Sequence, residues 1–372
     1  MISSYDVGSL PFDEENKLNL FLEGAFSYLF NSEEKSAVFF EKKVLQAFLD
    51  KLNAGIEVPN YPQFRDMNSM FLSMIDGIEK IKEGYVEFEK LSLKRDKGNG
   101  VIPEVEVIRR KAKELSAELG TPLKIKICIT GPYTLSSLFL YKNEETFLKL
   151  AEVLAKIVEI NTFSDKHCKT EIVSLDEPTF GFIDDPLLDY GSPGREKLLK
   201  AWDKIFHVAH VKDAKTCMHL HNTSDNLFWE TNYLQILESH VNDNLYRNKT
   251  VKKKLEEKDK FLKASICITD FDQLIRIHAK THSTENLTQL DLNKYVAEAW
   301  KNIRSGKLDP TIFLEETETM RKRLRNVIQL FGEERVLYAG PECGLRSFPS
   351  YNCAIEYLQR TANAVKHFSI NS

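Results

Sequence analysis

The chain has 372 residues, 51 basic and 55 acidic side chains, a net charge of −4 and 42% hydrophobic residues. Charges this balanced and interspersed exclude the basic stripe of a nucleic-acid binder and give no reason to expect a membrane surface as partner. No run approaches the ~20 apolar residues of a membrane span. The start MISSYDVGSLPFDEEN reads as no secretory signal, and the six scattered cysteines suit reduced thiols, so a cytoplasmic enzyme is expected.

Taken in chain order, residues 64–94 read as a long surface helix and 96–100 as a turn. The run LKIKICIT at 123–130 is the first clear strand, followed by a helical pattern over 145–160 with apolar residues at i, i+3 and i+4. A strand at 171–176 (EIVSLD) precedes a helix over 195–210, and a strand at 214–221 (AKTCMHLH) follows. The charged run 252–260 reads as a solvated helix face rather than a linker. Then come a strand at 262–269 (LKASICIT), a helical segment at 271–279, a helix over 320–331 ended by Gly332, and a strand at 335–339. Strand–helix alternation at this spacing predicts parallel βα units and one α/β domain over residues 1–372, a (β/α)8 barrel with surface helical insertions.

The unusual polar clusters fall just after the strands, at Gly131-Pro132, Asp176-Glu177-Pro178, His221-Asn222-Thr223, Asp270 and Gly340-Pro341-Glu342-Cys343-Gly344. In a parallel barrel those ends share one face, where active sites are built. On a strand, Cys217, His219 and His221 point the same way. Alone, such a His-x-His reads equally as two hydrogen-bonded core histidines. Cys343, flanked by Pro-Glu and Gly, sits on a sharp loop rather than inside a strand. Asp270 stands just past ICIT, where an aspartate also serves as a helix N-cap. Together His219, His221, Cys343 and Asp270 form a donor set suited to Zn²⁺, since a thiolate favours zinc over Mg²⁺ or Ca²⁺. Asp176-Glu177 can hold an ammonium group, act as acid or base, or simply cap a turn.

These residues also carry a resemblance. VGSLP near the start, Asp66-Met67 in PQFRDM, ITGPYTL at 129–135, LDEP at 175–178, MHLHN at 218–222 and PECGLRS at 341–347 occur in one order across nearly the whole chain. They resemble the catalytic C-terminal barrel of cobalamin-independent methionine synthase, within the uroporphyrinogen decarboxylase-like superfamily. The segment P-(D/E)-C-G-L is the most specific match. The resemblance implies a TIM barrel, bound zinc, homocysteine as methyl acceptor and methionine as product. It makes His219 and Cys343 zinc ligands and puts His221 where the family has a second cysteine. Asp270, or by a competing alignment Thr269, lies at the family's zinc glutamate. Gly8 and Ser9 match the segment that holds the amino acid's carboxylate. Asp176 matches the holder of its ammonium group, with Gln63 and Asp66 beside it. Asp309, in the turn 306–309, matches an aspartate counted with Asp176 as catalytic.

Three departures stand out. His221 in place of cysteine removes a negative ligand, and Gln63 replaces a family glutamate. The catalytic histidine that follows the G-x-x-D turn is absent; Pro310 and Thr311 stand there, leaving His278 or His282 as substitutes. The family's folate-stacking tryptophan is also absent, with Ser136, Ser137, Leu138 and Phe139 in its place. This favours a non-folate donor, such as a methylcorrinoid, a pterin carrier or a methyl group delivered by a partner protein. Two alternatives remain open, a corrinoid-dependent methyltransferase with another thiol acceptor and a non-catalytic paralogue that binds homocysteine or methionine.

Overall fold

A computed structural model describes residues 2–182, 184–283, 286–366 and Phe368. Its strands are β1 (Ser3–Ser4), β2 (Ile75–Ile81), β3 (Gly84–Leu93), β4 (Leu123–Thr130), β5 (Cys168–Glu177), β6 (Lys215–Leu220), β7 (Ile236–Glu238), β8 (Phe261–Cys267) and β9 (Val336–Pro341). Seven of them form one parallel sheet in the order β1-β9-β8-β7-β6-β5-β4. The extended segment 58–63 lies between its two edges. Tyr5 bridges Val58 and Asn60 bridges Lys126, both parallel, with Val58 N–H donating to Ser4 O at 3.0 Å and Lys126 N–H to Pro59 O at 2.9 Å. That segment is the eighth stave. Pro59 and Pro62 lack the N–H groups a regular ladder needs, which is why it pairs through isolated bridges.

The expected (β/α)8 barrel is therefore present, with helices outside. The helix Glu144–Asn161 opens on a capping box at Asn143 and buries Phe147, Leu150, Leu154 and Val158 at helical spacing. The helix Pro193–Val211 is capped by Ser192, with Pro193 at its first position. The run 252–260 belongs largely to the helix Lys249–Glu257. None of the described helices is long and apolar enough to cross a membrane.

One expectation is corrected. Residues 64–94 do not form a long helix; a single turn, Ser69–Leu72, leads into the antiparallel hairpin β2–β3. Gly77 and Gly84 hold φ of +86° and +155°, and a Cβ on Gly77 would stand 2.7 Å from the Glu89 carbonyl of the partner strand. Such backbone excludes a helix, in which each glycine would also cost about 1 kcal/mol. The hairpin docks on the loop after β4 through Tyr85 and Leu138.

Inside the barrel the packing is unusual. Tyr5, Val58, Ile172, Cys217, Ile236 and Tyr338 form a small apolar cluster of their own. Beside it lie Lys126, Glu238 and Lys263, all fully buried, where branched apolar side chains ordinarily fill a barrel.

Candidate metal centre

Three strand ends build the site. His219 lies in β6 and His221 one residue past its end; His240 lies two residues past β7 and Cys343 two past β9. Alternation along a strand makes His219 and His221 share the inward face of Cys217, and makes His240 continue the face of Ile236 and Glu238. One ligand atom each from His219, His221, His240 and Cys343 lie within 4.8 Å of one another. The Cys343 sulfur is 3.5 Å from His221 Nε2, and the rings of His221 and His240 are 4.2 Å apart. The Nε2 atoms of His219 and His240 are buried without a hydrogen-bond partner. Buried polar atoms are ordinarily satisfied, so two orphaned imidazole nitrogens beside a thiol fit a soft, tetrahedral metal such as zinc, whose ligand atoms lie roughly 3.5 Å apart.

Electrostatics fit as well. Burial works to raise the Cys343 thiol pKa, but His219, His221 and His240 around it hold it well below the ordinary value. Burial works against a charged His219, yet Cys343 and Glu238 beside it raise its pKa to about 10. Burial lowers that of His221. Glu342 ties the loops together, its carboxylate accepting from Val241 N–H at 2.8 Å and Thr269 N–H at 3.0 Å. It thus fixes the residue after His240 and the residue before Cys343 in one bond set.

No family model and no curated protein matches the chain. Among solved structures, it is similar to a B12-independent methionine synthase from Shewanella sp. W3-18-1 in complex with selenomethionine. That match covers 98% of this chain and 97% of the other at 15% identity, with a TM-score of 0.58. A Listeria monocytogenes protein assigned as a vitamin-B12-independent methionine synthase matches over 98% and 99%, at 13% identity and a TM-score of 0.56. A methyltransferase from Methanosarcina mazei matches over 98% and 93%, at 9% identity and 0.52. The fold is shared with methionine-synthase-like methyltransferase barrels. At these identities the likeness carries the fold alone, and the chemistry rests on this chain's own side chains.

The structure brings some of the expected residues of such a barrel together and leaves others apart. Gly8, Ser9 and Gln63 form one cluster. Ser9 bridges Gln63, and a Cβ on Gly8 would stand 2.6 Å from Gln63 Oε1. The Ser9 hydroxyl lies where a Cβ on Gly344 would be, 1.9 Å away, so this cluster abuts the loop of Cys343. Asp176 is paired in register with His219, is buried, and accepts from Ser174 Oγ at 2.8 Å. Burial raises its pKa to about 6 against the pull of His219 and Lys126. Its neighbour Glu177 is a cap, accepting from Tyr133 N–H, Thr134 N–H and Trp202 Nε1 at 3.0, 2.7 and 2.9 Å.

Asp270 is not in the metal group. It is exposed and caps the helix Phe271–His282 by accepting from Gln273 N–H at 3.1 Å. Strand β8 ends at Cys267, three residues short of it. Asp66 is exposed and closes a turn on Ser69 N–H at 2.8 Å. Asp309 is exposed and bonds Thr311 N–H at 2.9 Å. His278 and His282 stack on each other, ring centres 4.1 Å apart, outside the group. The residue that sequence reading missed is His240. The signal was present in Ile236-Leu237-Glu238-Ser239-His240, an apolar run ending in polar donors, but three residues of strand are too few for period-two reading.

Proposed function

We propose that the chain is a zinc-dependent methyltransferase, one catalytic barrel over residues 1–372, which methylates the thiol of homocysteine to give methionine. The observation that carries this is the convergence of His219, His221, His240 and Cys343 at the carboxyl-terminal mouth, with two imidazole nitrogens buried and unpaired. Those four residues would hold the ion. A bound zinc ion supplies the Lewis acidity that deprotonates a thiol whose free pKa is ~8.5. The buried Asp176 carboxylate receives the substrate ammonium, and Ser9, with the backbone at Gly8, receives its carboxylate. Holding the amino acid at both ends aims its sulfur at the methyl donor, and that proximity supplies much of the rate. A methylcorrinoid, or a partner protein that delivers the methyl group, is the donor that suits the absence of a stacking tryptophan after residue 135. An ammonium holder at Asp176 favours an amino-acid thiol over a sulfonate thiol as acceptor.

The test is zinc content and methionine formation from homocysteine and methylcobalamin. The wild type should carry about one zinc per chain, and His219→Ala and Cys343→Ser should each lose both zinc and product; full activity in both variants ends the proposal. The four-donor set also favours a second reading, because four protein ligands are the pattern of closed, structural zinc sites. A homocysteine- or methionine-binding protein without turnover would then bind homocysteine in a calorimeter and form no methionine with any donor.

A further inference from the structure

His219 is used at both ends. Its Nδ1 lies 3.1 Å from Glu238 Oε1, while its Nε2 is buried without a partner. When Nδ1–H donates to a carboxylate, the lone pair is left on Nε2, facing the three other candidate ligands. The contact is set by strand pairing rather than by a loop, since His219 of β6 stands directly opposite Glu238 of β7.

Side chains from three further segments, β4, β8 and the residue after β1, converge on that one carboxylate. Tyr5 OH donates to Glu238 Oε2 at 2.7 Å, and Lys263 Nζ lies 2.9 Å from the same oxygen. Lys126 Nζ is 3.6 Å from Oε1 and stands over the Tyr5 ring at 4.6 Å. Tyr5, Lys126, Glu238 and Lys263 are all fully buried. Replacing such buried ions by hydrocarbon is often neutral or stabilising, so this cluster is an expensive way to fill a barrel. The fixed ring of His219 gives it a purpose.

We propose that Glu238 is the positioning residue of the metal centre, holding His219 in the tautomer and orientation that present Nε2 to the ion, with Tyr5, Lys126 and Lys263 fixing the carboxylate in turn. This rests on the metal reading above, and the test separates the two. Zinc affinity is measured by chelator competition for the wild type, Glu238→Gln, His219→Ala and the double variant, together with the visible spectrum of the Co²⁺-loaded proteins. Glu238→Gln should weaken zinc about 10- to 100-fold and shift the cobalt bands, yet cost nothing further in the His219→Ala background. Wild-type affinity in a folded Glu238→Gln, or an equal loss in both backgrounds, overturns the proposal. Should Glu238→Gln not fold, ¹⁵N–¹H correlation of the imidazoles in the zinc-loaded wild type decides: His219 protonated at Nδ1 supports it, and protonated at Nε2 refutes it. If His219→Ala and Cys343→Ser both bind zinc like the wild type, it is the metal reading that fails.

Discussion

His240→Ala and Asp270→Ala should behave in opposite ways. Sequence reading puts Asp270 with His219, His221 and Cys343, whereas the structure groups His240 with them, its Nε2 buried and unpaired. Structural zinc binds with an apparent ~10–16 kcal/mol, so one of four donors accounts for about 2.5–4 kcal/mol, roughly a hundredfold to a thousandfold in affinity. His240→Ala should weaken zinc by that factor. The metal-free protein should lose little, mainly the packing of one imidazole against His221, because the Nε2 removed has no hydrogen-bond partner. Asp270→Ala should leave zinc affinity unchanged while removing the 3.1 Å bond to Gln273 N–H, a loss of about 1 kcal/mol of stability. Chelator-competition titrations, with thermal melts in the presence and absence of chelator, read both quantities. The reasoning is refuted if Asp270→Ala strips the metal, or if His240→Ala retains wild-type affinity.

Two further predictions concern other parts of the mouth. Asp176, with its pKa raised to about 6 by burial, is neutral below that pH and cannot pair with an ammonium group. KM for homocysteine should therefore rise about tenfold per unit as pH falls below 6, and a flat KM between pH 5 and 7.5 would remove Asp176 from substrate binding. A Cβ on Gly131 would stand 2.2 Å from Glu177 Cδ and Oε1, displacing a carboxylate that satisfies three donors. At ~1–3 kcal/mol per buried donor left unpaired, Gly131→Ala should cost about 3–9 kcal/mol in urea unfolding if all three donors are lost; a loss under about 1 kcal/mol would show that Glu177 moves aside freely.

What was legible in the sequence was long and regular. The strand at 123–130 and the helices near 145–160 and 195–210 emerge within a few residues of their observed ends, because each has enough residues for its period to show. The hidden parts were short or irregular. The stave at 58–63 carries two prolines, and β7 has three residues. The hairpin β2–β3 alternates charged and apolar residues around two glycines whose left-handed backbone no periodicity reveals. The candidate metal site was half legible for the same reason. His219 and His221 sit on and just past the end of a strand long enough to recognise, but His240 extends one that is not. Asp270 attracted notice because ICIT resembles a strand running to Thr269, while the pairing stops at Cys267.

Register links the fold to the chemistry. Thr130, Asp176, His219 and Glu238 are successive Cα partners across β4, β5, β6 and β7, and Cys128, Ser174, Cys217 and Ile236 form the row two residues below. The upper row places the candidate ammonium holder, the metal imidazole and its orienting carboxylate side by side at one depth. His221 and His240 then rise together two residues higher, level with the loop of Cys343. Because side chains alternate with a period of two, a slip of one residue in β6 or β7 would turn His219 or Glu238 to the outer face. The lower row, with Cys217 and Ile236 packed among Tyr5, Val58, Ile172 and Tyr338, resists that slip, since one direction would put Thr216 or Gln235 into an apolar layer and the other the bulkier Met218 or Leu237. The interior cluster that stabilises the barrel is thus also what sets which atoms meet at its mouth.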